Sequence, residues 1–131
     1  HKIYYAVVTG NLKKEDKLVD YLKKDPKNNM SYVTNSKEGK LSILTYNLVA
    51  KKDNLNLVKI NLLTGRSHQI RVQFASRNNP LVGDQKYNIK EKSNTQIALF
   101  AQSITFPHPI TKELLIYTLP LPNRYPFNIF K

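Results

Sequence analysis

Arginine is scarce in this chain, and where it occurs it is clustered. Of 21 basic residues 17 are lysine, yet three of the four arginines, Arg66, Arg71 and Arg77, fall in or just after the stretch TGRSHQIRVQF at 64–74. A guanidinium offers a planar, two-pronged donor to a carboxylate or phosphate, whereas an ammonium offers a point charge. A chain that defaults to lysine is here using something lysine cannot supply. His68 and Gln69 lie between the first two of these arginines. Metal chemistry is not expected. The chain has no cysteine, and its three histidines, His1, His68 and His108, are far apart in sequence.

The charge balance narrows the partners without naming one. A net charge of +12 attracts phosphate-rich polymers and anionic lipid alike. The lysines are spread through runs such as KKEDK, KKDPK and KEK, which read as solvated loops and not as an amphipathic membrane helix. No run approaches the roughly 18 apolar residues of a membrane span. The start, HKIYYAVV, has neither signal-peptide regions nor an initiator methionine, which points to a piece of a longer polypeptide. At 131 residues one domain with a proper core is expected, and the lack of cysteine suits the cytoplasm.

The elements that must position these side chains are mostly strands. IYYAVV (3–8), MSYVT (30–34), LSILTYNLVA (41–50) and NLVKINLL (56–63) are β-branched or aromatic runs separated by turn residues. Two further strands are expected at 97–106 and 113–119, around the turn PHPITK. Residues 13–25 carry Leu18, Tyr21 and Leu22 at helical spacing, so pattern alone reads a short helix there. After Leu63 the chain breaks at Thr64 and Gly65. Ser67 is a plausible N-cap, and Ile70, Phe74 and Ala75 mark one face of a helix reaching about Asn78. The class is α+β: a mostly antiparallel sheet, one clear helix and a proline-rich tail.

The order KIYYAVVTG, then LTGRSHQIRVQFASRNNPLVGDQKYN, then ALFAQSITFPHPITKE and a closing LPLP resembles the C-terminal part of the catalytic domain of RluA-like RNA pseudouridine synthases. The resemblance covers nearly the whole chain and is weakest over residues 10–40. It implies isomerisation of uridine to pseudouridine in structured RNA, ribosomal or transfer, in the cytoplasm, with no cofactor or metal. It also implies an α+β fold with a mixed, mainly antiparallel sheet and few helices, and extended chain, not helix, over residues 13–34. Tyr4 matches the tyrosine of the family's K-x-Y strand and would lie against the target base. Arg71 matches the motif arginine that pairs with the catalytic aspartate. Arg66, His68 and Gln69 become candidates for RNA contact, with bracing of the loop as the alternative for the last two, and Leu99 a lining residue of the uracil pocket. Arg77, near the helix end, would favour the helix dipole. Gly83 and Asp84 read as a turn in which Asp84 accepts backbone hydrogen bonds. Tyr5, on the opposite face of its strand, reads as structural.

Two features depart from the family pattern. Phe100 and Gln73 stand where histidine is usual. More consequentially, the family's essential aspartate lies in an R-L-D segment upstream of K-x-Y, and none of Asp16, Asp20, Asp25, Asp53 and Asp84 follows such a dipeptide. The expectation is a partial catalytic domain over residues 1–131, inactive by itself, with unpaired sheet edges open to self-association. The alternative is a non-catalytic RNA-binding module that keeps the cleft.

Overall fold

The computed structural model describes residues 2–88, 90–91 and 94–131. His1 and Lys92 of the KEK run therefore lie outside the described residues. Seven strands follow in chain order: β1 (Lys2–Thr9), β2 (Glu15–Asp25), β3 (Met30–Thr34), β4 (Lys40–Lys52), β5 (Leu55–Leu62), β6 (Leu99–Pro107) and β7 (Leu114–Thr118). One α-helix, α1 (Gln69–Ala75), and a 3₁₀ turn at Phe127–Phe130 complete the elements. The strands form a single sheet in the order β3-β2-β4-β5-β1-β6-β7. Every pairing between them is antiparallel, so the mixed component expected of the sheet finds no parallel pair among the described residues.

β1 is central and buried on both faces, which is why its apolar run is continuous and not alternating. Ala6 and Val8 face a core that includes Leu18, Leu44, Tyr46, Val58 and Ile60, and α1 closes this core with Ile70 and Phe74. Those two are one helical turn apart, so they enter the same layer. Phe74 is 1% exposed, and truncating such a phenylalanine to alanine costs about 3–5 kcal/mol. Val7 faces the other way, into a second cluster with Leu57, Val82, Ala98 and Phe127, to which the proline-rich tail contributes Phe127, Leu121 and Phe130. Tyr5 and Phe100 stack in that second layer at 5.9 Å and 18°. Tyr5 is structural, as its strand position predicts, and Phe100 occupies the face away from α1.

Two local expectations read from pattern need correction. Residues 15–25 are strand, paired along β4 from Glu15↔Asn47 to Leu22↔Lys40, which is the extended chain that the family resemblance implies and not the helix that pattern alone reads. Leu18 and Leu22 are four apart, a spacing that places two residues on one face of a strand as well as of a helix, and only Tyr21 separates the two readings. Asp16, Asp20 and Asp25 accordingly lie on that strand. The helix begins at Gln69, capped by His68 in the left-handed conformation (φ 54°) and not by Ser67. At its end the bonds tighten, Arg77 to Phe74 and Asn78 to Ala75, before Asn78 turns left-handed at φ 64°. No helix among the described residues is long and apolar enough to cross a membrane.

Candidate active site

A pocket of about 300 Å³ opens between β1, the end of β5, α1 and the start of β6. Tyr4, Arg66, His68, Gln69, Arg71 and Leu99 all line it, together with Leu62, Ile70 and Ile97. All six sequence candidates thus converge on one cavity. Tyr4 sits where the register between β1 and β6 shifts, and such an irregularity re-aims a side chain relative to a regular ladder. A groove of about 990 Å³ that runs past the C-terminal end of α1 is larger, and two of its asparagines are engaged with backbone, Asn54 accepting from the Gly10 N–H and Asn79 donating to the Thr9 and Asn11 carbonyls.

Arg71 is the most constrained of these residues. Its Nε donates to Asp84 Oδ2 at 3.0 Å and its Nη2 to Asp84 Oδ1 at 2.8 Å. Asp84 is fully buried, and its Oδ1 also accepts from the backbone N–H groups of Lys86 and Tyr87, each at 3.2 Å. The turn role read for Asp84 therefore holds, and the ion pair is an addition that sequence reasoning missed. The Asp84 hydrogen bond raises the Arg71 pKa further above its already high value. Among the described residues Nη1 of Arg71 carries no hydrogen bond, so one arm of the guanidinium is left for another acceptor.

Gly83 makes this arrangement possible. It adopts φ 82°, and a Cβ there would lie 2.6 Å from the Thr95 carbonyl oxygen and 2.7 Å from that of Gln96. Only glycine fits. Val82 accepts from Ala98 and donates to Val7, which ties the segment carrying Asp84 to β1 and the approach to β6.

Tyr87, three residues beyond Asp84, is the second group that sequence reasoning missed. Its ring lies under the Arg71 guanidinium at 5.2 Å, a geometry in which the ring face attracts the cation. Its hydroxyl accepts from the Ser31 N–H at 2.8 Å and sits 2.7 Å from His68 Nδ1. Burial, with the nearby Arg71 and Lys86 charges, lowers the His68 pKa below its ordinary value, against an opposing pull from Asp84. The G-D-x-x-Y segment marks both residues, but only the fold shows that its carboxylate and its ring meet the same guanidinium.

The other two arginines of the cluster are also forked. Arg66 Nε and Nη2 both donate to the Leu41 carbonyl, at 3.0 and 2.9 Å. Arg77 grips Asp20 on β2 through Nη1 at 2.7 Å and Nη2 at 3.3 Å, so its role is to tie α1 to the sheet, beyond the dipole effect expected. Gln69 is 2% exposed, donates to the Ile43 carbonyl at 3.1 Å, and accepts from Thr64 Oγ1 at 2.8 Å and the Arg66 N–H at 3.0 Å. Its amide braces the loop, the alternative weighed for it. Gln73, also buried, donates to Asp20 and to the Leu18 and Ser42 carbonyls, another tie between helix and sheet. No described residue that lines the pocket is a carboxylate. Among the described residues no group of three metal-ligating side chains is found.

A family model described as RNA pseudouridylate synthase matches residues 1–76. Ribosomal large subunit pseudouridine synthase C of Buchnera aphidicola is 38% identical over 108 residues, covering 76% of this chain and 34% of that protein. The dual-specificity RNA pseudouridine synthase RluA of Pasteurella multocida is 31% identical over 123 residues, covering 91% of this chain and 56% of that protein. The chain therefore spans about a third to just over half the length of these curated relatives. Among solved structures, human RNA Pseudouridylate Synthase Domain Containing 1 superposes with a TM-score of 0.78 at 21% identity, covering 91% of this chain and 54% of its own.

Proposed function

Because the chain belongs to the RNA pseudouridylate synthase family, and to its RluA-like branch, we propose that its pocket holds a uridine of structured RNA, ribosomal or transfer, for conversion to pseudouridine in the cytoplasm without cofactor or metal. The observation that carries this reading is the convergence of Tyr4, Arg66, His68, Arg71 and Leu99 on one cavity. A base withdrawn from its stack needs an aromatic face in exchange, and Tyr4 supplies one. Leu62, Ile70, Ile97 and Leu99 keep the surroundings apolar, which strengthens every charge interaction within.

The reaction breaks the bond from N1 of uracil to C1′ of ribose and forms one from C5 to C1′. The C5 proton is lost and N1 gains one, so the product is an isomer. A carboxylate must act at C1′, and Asp84 is not that group, since it is fully buried and both its oxygens are bonded. Residues 1–131 thus read as a partial catalytic domain, completed by a segment that brings a carboxylate to the free Nη1 arm of Arg71. Asp84 and Tyr87 then hold the guanidinium still from one side and from below, and only its third nitrogen engages the reacting partner. Arg66, positioned by the Leu41 carbonyl at the pocket rim, is the candidate for phosphate.

A non-catalytic RNA-binding module is the second reading, favoured by the lack of a described carboxylate in the pocket lining. Measuring pseudouridine in RNA incubated with this chain, and with the longer polypeptide that carries the residues encoded upstream, separates the two. The synthase reading expects product from the longer polypeptide alone. Product from neither supports the module, and product from this chain contradicts the missing-carboxylate account.

A further inference from the structure

Tyr87 does more than support a guanidinium. Its hydroxyl oxygen already accepts the Ser31 N–H at 2.8 Å, so its own proton needs an acceptor. His68 Nδ1, 2.7 Å away, is placed to be that acceptor. An imidazole that accepts at Nδ1 is the neutral tautomer with its proton on Nε2. The two rings meet edge to face at 84° with centroids 5.5 Å apart, which fixes the imidazole plane as well as its proton. The left-handed backbone at His68, φ 54°, turns the chain sharply just before α1 and presents this ring to the pocket that it lines. With Nδ1 engaged, Nε2–H is the ring's only polar group left for an occupant.

We propose that Tyr87 is a positioning residue that locks His68 as a neutral Nε2–H donor, and that this donor makes the pocket select a base edge carrying a carbonyl oxygen over one carrying an amino group. The inference rests on the reading of the pocket as a uridine site and sharpens it. Uracil presents O4, an acceptor, where cytosine presents a 4-amino donor. A donor fixed by a neighbour cannot turn itself into an acceptor for cytosine, and an amino group facing Nε2–H leaves two donors opposed.

The charged and titratable groups around His68 favour the same protonation state. Arg71 from α1, Lys86 from the segment after Asp84 and Lys24 from β2 all disfavour a second proton on the ring, as does burial, and Asp84 alone favours it. Tyr87 completes the set. Asp84 is already committed to Arg71, so its pull on the imidazole is offset close to its source.

The test is nitrogen-15 NMR on the full 131-residue chain labelled at histidine, with the His68 signals assigned by their loss in His68→Gln. At neutral pH the expected spectrum shows His68 Nδ1 bare and Nε2 protonated, and Tyr87→Phe moves both toward the averaged values of a free imidazole. A wild-type His68 protonated at Nδ1, or tautomer-averaged, overturns the lock without reference to any variant. Titration with uridine 5′-monophosphate and, separately, cytidine 5′-monophosphate then tests selection. The uridine nucleotide is expected to shift His68 Nε2 at several-fold lower concentration. Equal shifts from both overturn the selection step. No shift from either, with the tautomer as expected, counts against the uridine pocket itself and leaves the lock supported.

Discussion

Arg71 and Asp84, thirteen residues apart in sequence, meet as a two-pronged ion pair, Nε to Oδ2 at 3.0 Å and Nη2 to Oδ1 at 2.8 Å. The carboxylate is fully buried while the arginine side chain keeps 20% of its exposure. Desolvation makes such a pair a modest net stabiliser, but breaking it leaves an uncompensated charge. Asp84→Asn preserves volume and, with its amide oxygen in the Oδ1 position, the acceptor for the Lys86 and Tyr87 amides, while it removes the charge and sets an NH2 group against the Arg71 Nε–H. Urea unfolding of this variant should show a loss of about 3 kcal/mol, the lower end of the range for a broken buried pair because Arg71 is not wholly desolvated. A loss under about 1 kcal/mol would place the pair among ordinary surface bridges.

Stability should also depend on pH through His68, whose folded pKa is lowered chiefly by burial. The unfolded chain, with the ordinary pKa near 6.5, binds the proton more readily than the folded one, so acid favours unfolding. This contribution is present above the unfolded pKa and lost as pH falls through the folded value. Stability measured between about pH 5 and pH 7.5 should therefore rise with pH, and His68→Gln should flatten that rise. An unchanged slope in the variant would assign the dependence to other groups.

Much of this was legible before any coordinates. β3 was read at its true ends because Met30–Thr34 is bounded by turn residues on both sides. The six candidates implied by the resemblance, four of them in TGRSHQIRVQF, all line one pocket. Leu18 and Leu22, by contrast, satisfy helix and strand periods equally, so the strand was recovered only through family resemblance. Ion-pair partners were invisible for a different reason. Asp84 reads locally as a turn residue and Asp20 as part of a lysine-rich run, and nothing in sequence says which guanidinium a carboxylate will face once the chain folds.

Arg71→Lys in the longer polypeptide should keep RNA binding and lose most turnover. Lysine preserves the attraction to phosphate but cannot bond both Asp84 oxygens and still offer a third nitrogen. A misplacement of about 1 Å at the reacting carboxylate costs on the order of a hundredfold in rate. Arg66→Lys should leave most of the rate, since an ammonium also serves a carbonyl or a phosphate. Single-turnover rates at saturating enzyme distinguish the two, and the reverse ranking would mean the arginines are assigned the wrong way round.

The central claim is that Tyr4 carries the base in this pocket. The most direct measurement is the dissociation constant of the 131-residue chain for a short single-stranded uridine oligonucleotide at low salt, for the unsubstituted chain, Tyr4→Ala and Tyr125→Ala. Tyr125 is a tyrosine outside the pocket lining, 51% exposed, so it controls for loss of an aromatic ring alone. The account predicts that Tyr4→Ala weakens binding by about 1–3 kcal/mol, the value of one stacked base, while Tyr125→Ala binds as the unsubstituted chain does. Equal affinities for all three, or equal losses in both variants, would contradict it.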